Sequence, residues 1–230
     1  MEQKIKDEED LVKEIEGILI EAWNTFLDYY EKKTPEYPKK WGFKKEKAKR
    51  ANWICWNEYD LMLQIGRFFY DILKEKKENQ FSNIEMHIEK KVDLTNFKDR
   101  EFEDKLEQLK IRLINKKVLK RNPKIDMIVA YQDKKGPFLL CAEVKYFRYA
   151  HNHYAKDPIT EVNKDIEKLK AIRDLEIAKK VVFLLFDDYY WCNDVNTANA
   201  IQKKLEKIRN EESITVLNST SKAKLEKYKQ

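Results

Sequence analysis

Apolar residues recur along this chain in two different periods, and the switches between them mark out its elements. Leu11, Ile15, Ile18, Ala22 and Phe26 follow at steps of four, three, four and four, the stripe of an amphipathic helix over residues 8–32. Leu61, Ile65, Phe68 and Ile72 mark a second helix at about 57–76, with Asn57 placed to cap its start. Residues 84–92 alternate instead, Ile84, Met86 and Ile88 against Glu85, His87 and Glu89, as in a strand with one wetter face. Phe102, Leu106, Leu109 and Leu113 return to the helical period over 100–115. Residues 124–147 then hold two nearly continuous apolar runs about Asp133-Lys134-Lys135-Gly136-Pro137, the pattern of a hairpin covered on both faces. Ile159, Val162, Ile166 and Leu169 continue as a helix to about 174, and residues 179–187 end in a buried strand, Val181 to Phe186. Ala198, Ile201, Leu205 and Ile208 make another helix, and Ile214-Thr215-Val216-Leu217 a last strand.

This order is helix, helix, strand, helix, strand, strand, helix, strand, helix, strand. A meander of three strands, followed by a helix and a strand on the same sheet, predicts an α/β fold, a three-layer α/β/α sandwich with a mixed central sheet. Residues 1–50 form an acidic helix and an arm broken by Pro35, Pro38 and Gly42, residues 51–217 the α/β domain, and residues 218–230 a polar tail. With 4 Gly in all, neither a phosphate-cradling Gly-rich loop nor a nucleophile elbow is present.

Composition narrows the class of protein. Charged residues make up 38% and apolar ones 42%, a helix-rich globular balance. No run of eighteen apolar residues exists and Met1-Glu2-Gln3-Lys4 opens an acidic helix, so the expectation is a soluble, cytoplasmic protein without a membrane partner. Cys55, Cys141 and Cys192 lack CxxC spacing and read as reduced core thiols. The net charge of +6 conceals an asymmetry. Residues 1–31 carry ten acids and three bases, whereas residues 32–50 carry nine bases and two acids, interleaved and followed by Trp41, Phe43, Trp53 and Trp56. Lys44, Lys45, Lys47, Lys49 and Arg50 in this arm suit contact with nucleic-acid phosphates. A second basic run, 105–124, holds eight bases against Glu107 and reads equally as a solvated face or a contact surface.

The candidate chemistry lies in the hairpin. Asp126 interrupts its first strand, and Glu143 and Lys145 interrupt the second. Ionised groups buried there cost several kcal/mol each unless paired or bound to a metal. Residues 143 and 145 leave the same face of the strand, so two carboxylates and an ammonium converge on one patch. Glu58, in the first turn of the 57–76 helix, lies on or beside the buried stripe of Leu61, Met62 and Ile65, although a first-turn acid also suits the helix dipole. His87 and Glu89 read as exposed strand positions, His151 and His153 as a polar loop, and Asp187-Asp188 as a turn.

Asp126 on one strand and Glu143-Val144-Lys145 on the next, with sixteen residues between the Asp and the Glu, resemble the PD-(D/E)xK nuclease superfamily. Pro123 stands three positions before Asp126, so the literal Pro-Asp pair is absent. The resemblance implies the restriction-endonuclease-like fold, a core αβββαβ with additional helices at the N-terminus, inside the meander and near the C-terminus. It implies a Mg²⁺- or Mn²⁺-dependent endodeoxyribonuclease in which Asp126, Glu143 and the carbonyl of Val144 hold the metal. Glu58 would assist as the acid from the preceding helix, and Lys145 would orient or deprotonate the attacking water. DNA is the implied partner, and a homodimer is compatible with it. Two other readings stand beside this one: a nucleic-acid-binding or assembly protein that retains the fold without cleaving, and a buried Asp–Lys–Glu ion network with no ligand.

The arm should contribute salt-dependent affinity and no catalysis. Changing Lys44, Lys45 and Lys47 together to Ala should lower the slope of log affinity against log salt by up to about 3, at roughly 0.9 for each phosphate no longer neutralised. DNA binding in Ca²⁺ across a salt series checks this, and an unchanged slope would exclude the arm as a phosphate-binding surface.

Overall fold

The computed structural model describes residues 8–33, 55, 57–76, 81–91, 99–118, 123–133, 136–147, 157–187, 195–211 and 213–219. The basic arm, including Lys44, Lys45, Lys47, Lys49 and Arg50, lies outside these residues, as do His151, His153, Asp188 and Cys192. Five helices are described, α1 (Glu8–Lys33), α2 (Glu58–Glu75), α3 (Arg100–Asn115), α4 (Pro158–Asp174) and α5 (Val195–Glu211). Five strands alternate with them, β1 (Ile84–Lys91), β2 (Lys124–Tyr131), β3 (Phe138–Phe147), β4 (Ala178–Asp187) and β5 (Thr215–Asn218). Their succession is the one the apolar periodicity predicts, and the chain is an α/β protein with a mixed sheet.

The strands lie in the order β1-β2-β3-β4-β5. β1, β2 and β3 are antiparallel neighbours, whereas β3–β4 and β4–β5 are parallel, each of these reached through a helical crossover. Helices cover both faces. Ile15, Ile18, Phe26, Leu61, Ile65 and Phe69 of α1 and α2 bury one face against Met127, Val129, Leu140, Ala142, Val144 and Leu184. Leu106, Leu109, Ile166, Leu169, Ile201 and Leu205 of α3, α4 and α5 bury the other against Ile128, Cys141, Val181, Phe183 and Leu185. Coverage on both sides is why β3 and β4 are apolar along nearly their whole length. Cys55 and Cys141 are buried within these cores, and among the described residues no helix is long and apolar enough to cross a membrane.

Local signals set the boundaries. The Asn57 side chain accepts the Asp60 amide at 2.9 Å, Asp99 accepts those of Glu101 and Phe102, and Asp157 caps α4 with Pro158 in its first turn. Gly136 takes φ +66° in the β2–β3 turn, a conformation that side-chain-bearing residues rarely adopt. On the outer side of β1, the Tyr70 hydroxyl accepts the Met86 amide at 2.8 Å and donates to the Met86 carbonyl at 3.4 Å. One phenol thereby covers a stretch of edge backbone that would otherwise be open to another strand.

The ladder between β2 and β3 is short. It joins Met127 to Ala142, Ile128 to Cys141 and Val129 to Leu140. Toward its start β2 stays paired with β1 as far as Lys124–Lys91, and β3 stays paired with β4 as far as Phe147–Asp187. The sheet therefore opens into a wedge between β2 and β3 beyond Met127 and Ala142.

Tyr70→Phe should cost about 1–2 kcal/mol, because it strips the Met86 amide of its acceptor in a partly buried place. Urea unfolding measures this; an unchanged midpoint would mean that water replaces the phenol without loss.

Candidate active site

The wedge leaves amides of β3 without strand partners. In a strand, the amide and carbonyl of one residue face the same side, so Val144 and Tyr146 both turn theirs toward the departed β2. The Asp126 carboxylate accepts the Val144 amide at 2.8 Å. The Glu58 carboxylate accepts the Tyr146 amide at 3.3 Å. Two acids thus sit along one strand edge, on amides two residues or about 6.6 Å apart, and the Val144 carbonyl opens into the same wedge. Asp126 belongs to the strand that leaves. Glu58 comes from the first turn of α2, in the opposite helical layer to α4.

Glu143 lies next to Asp126 where the strands part and is wholly buried, 0% exposed. Its Oε2 forms an ion pair with the Lys168 ammonium, and its Oε1 has no hydrogen-bond partner. Burial first, and then the charge of Asp126, push its carboxyl well above the ordinary range, while Lys168 draws it back down. Lys168, on α4, is 6% exposed and also donates to the Lys124 carbonyl at 3.0 Å. Burial pulls its ammonium down, but Glu143, Asp126 and Asp165 outweigh burial and the net direction is up.

Lys145 follows Glu143 by two residues and lies between two acids. Its Nζ stands 3.0 Å from Glu58 Oε1 and 3.0 Å from Asp165 Oδ2. Burial opposes its charge, yet Asp165 and Glu58 prevail and hold its proton above the usual lysine range. An ammonium so held keeps its charge at neutral pH. It can orient an oxygen or offset developing negative charge, and it is a poor base. Asp165 is raised by burial, with Lys145 and Lys168 acting against the shift.

The structure therefore brings Asp126, Glu143, Lys145, the Val144 backbone and Glu58 together. Glu58 is not sunk in the core beside Leu61: its side chain is 41% exposed and reaches the rim of the wedge. Asp165 and Lys168 complete the group, and the apolar stripe of α4 does not single them out. The signal they carry is the one that marks Glu58, a charged residue flanking a buried stripe, since Asp165 stands three after Val162 and Lys168 two after Ile166. Other candidates lie apart. His87 pairs with Glu85 at 3.2 Å and Glu89 with Lys124 at 3.5 Å, while Asp187 ends β4 with its amide on the Ser219 hydroxyl. Three bases of the second basic run are engaged: Lys105 and Arg112 of α3 and Lys116 at its C-cap pair with Glu176, Asp174 and Glu167 at 3.3, 2.6 and 2.7 Å. That engagement favours a structural role over phosphate contact for these three.

Among the described residues, no three His, Cys, Asp or Glu side chains gather as a ready-made metal centre. Mg²⁺ commonly takes one or two carboxylates and keeps several waters, so three gathered acids are not a requirement. The donors here are hard oxygens, and one, Glu143 Oε1, is buried without a partner. Asp126, Glu143, Glu58 and Asp165 face Lys145 and Lys168, which leaves two negative charges uncompensated when all are ionised. A divalent cation fits that chemistry, with Asp126, Glu143 and the Val144 carbonyl as its protein ligands. Comparison with protein-family models, with curated proteins and with solved structures finds no match to this chain.

Asp126→Asn keeps an oxygen for the Val144 amide, whereas Asp126→Ala leaves that amide unpaired. The Ala variant should be less stable than the Asn variant by about 1–3 kcal/mol in chemical denaturation. Equal stability would show that the wedge does not depend on this hydrogen bond.

Proposed function

We propose that this protein is a divalent-metal-dependent nuclease acting on DNA phosphodiester bonds, of the PD-(D/E)xK type. The observation that carries the reading is the wholly buried Glu143, one oxygen unpartnered, beside Asp126 at the parting of two strands, with Lys145 two residues further on. The succession of helices and strands and the mixed five-stranded sheet support a restriction-endonuclease-like core, αβββαβ with added helices. When bound, Mg²⁺ or Mn²⁺ supplies Lewis-acid polarisation of a phosphate and acidifies a water.

The remaining work belongs to the chain. Asp126 and Glu143 provide the ligand oxygens, and Asp126 is held in place by the Val144 amide. Lys145 presents a charge to the attacking oxygen and to the negative charge that grows on the phosphate in the transition state. Glu58 and Asp165 aim that ammonium from two sides. The arm 39–50 supplies phosphate contacts that fix position without reading bases. A second reading has an observation of its own: both lysines are already paired with carboxylates, as they would be in an ion network with no ligand.

Supercoiled, linear, branched and single-stranded DNA should be tested with Mg²⁺, Mn²⁺ and EDTA. Cleavage should require the metal and stop with EDTA; undiminished cleavage in EDTA would exclude this mechanism, and no cleavage of any form would favour the ion network. Lys145→Ala should slow turnover by about a hundredfold or more, the scale of removing one transition-state contact, while DNA affinity changes little. Glu58→Gln tests whether the α2 acid matters, and normal activity at low Mg²⁺ would leave it a structural role, at the helix start and on the Tyr146 amide.

A further inference from the structure

The nuclease reading uses Asp126, Glu143 and Lys145 and leaves Lys168 unexplained. This side chain is unusual for a lysine. It is 6% exposed, its ammonium is paired with a carboxylate that is itself 0% exposed, and α4 carries it into the sheet beside Val162, Ile166 and Leu169. Its neighbours Lys164 and Lys170 pair at the surface with Glu161 and Glu167, as helix lysines ordinarily do.

We propose that Lys168 is the resident cation of the metal-free site, a positioning residue that pairs with Glu143 and competes with the metal for it. The proposal rests on the metal-dependent reading above. Three observations carry it. Glu143 has one oxygen on Lys168 and the other without a hydrogen-bond partner, so it is half satisfied by the ammonium and not fixed by a network. An ionised carboxylate at 0% exposure is strongly disfavoured without a counter-charge, and the ammonium placed against Glu143 to supply one before metal arrives is that of Lys168. The Lys168 ammonium keeps a separate anchor in the Lys124 carbonyl at 3.0 Å and lies within the field of Asp126 and Asp165, so leaving Glu143 would not strand it.

The consequence is a division of labour between two lysines that look alike in the sequence. Lys145, bracketed by Glu58 and Asp165, faces the reacting atoms. Lys168 competes with the metal for one ligand, preserving the empty site and lowering its affinity. Removing the Lys168 charge should therefore weaken the metal-free fold and tighten metal binding, whereas loss of a merely structural residue would weaken both.

The test is Mn²⁺ binding to the full chain, followed by the loss of the free-ion paramagnetic resonance signal at pH 8, where a proton is less able to take the place of the ammonium. Lys168→Met and Lys168→Gln should bind Mn²⁺ about tenfold or more tightly than wild type, the scale of removing one unit charge from a partly screened site. Lys164→Met, which removes a surface charge from the same helix, should stay within about twofold. The Lys168 variants should also melt at a lower temperature without metal and gain more from it. Binding by wild type with equal or weaker binding by both Lys168 variants would overturn the proposal and leave the nuclease reading intact. No Mn²⁺ binding by any form would remove the metal reading and this proposal with it. Should the variants fail to fold, the wild-type chain decides: saturating Mg²⁺ should shift the Lys168 side-chain nitrogen resonance and leave that of Lys164 in place, and an unmoved Lys168 signal would overturn the proposal.

Discussion

An amide held in a protein interior must find an acceptor, and β3 has two amides that lose theirs where β2 turns aside. In an unbroken antiparallel ladder, Val144 and Tyr146 would bond to the neighbouring strand. Here Asp126 and Glu58 take those places, so the defect in the sheet and the assembly of the acids are one event. The opening needs acceptors, and carboxylates supply them with charge attached. Everything distinctive about the site follows from that substitution of side-chain oxygens for backbone oxygens: the closeness of the acids, their fixed spacing along the strand edge, and the need for counter-charges beside them.

The counter-charges come from a strand and from the helix packed on it. Lys145 projects from β3 itself, and Lys168 arrives from α4, so acids and ammoniums interleave across the gap. Such a network is a weak contributor to stability, because desolvation consumes most of the Coulombic gain. A core of this size had apolar alternatives for these positions, as the uninterrupted burial of Phe183, Leu184 and Leu185 on the adjacent strand shows. Charges placed where hydrocarbon would serve stability as well are the kind of local inconsistency that marks function.

Much of this is legible in the chain. The two apolar periods, read against Asn57 at a helix start and Gly136 in a turn, lead to the observed succession of elements. Asp126 and Glu143 can be placed together because a hairpin makes residues on its two strands neighbours. Glu58 shows as a charge beside a buried stripe. Asp165 and Lys168 do not stand out, because α4 carries Lys164, Lys168 and Lys170 in a row of similar residues. Which of them turns inward depends on how α4 is rolled against the sheet, a matter of tertiary packing. The same holds for the bases of α3: their partners, Glu167, Asp174 and Glu176, are some fifty to seventy residues away, and no local pattern connects them.

The reach of Glu58 across the wedge has an evolutionary side. Lys145 is gripped by one acid from α2 and one from α4, helices on opposite faces of the sheet. Insertions in the turn between β2 and β3 would leave both grips untouched, since that turn lies at the far end of the paired residues. A single added residue between Glu58 and Leu61 would rotate the acid by about 100° relative to the stripe that seats α2, and one between Val162 and Asp165 would do the same on α4. Length variation among descendants of this chain should therefore accumulate at its turns and be purged from one helical turn on each side of the site.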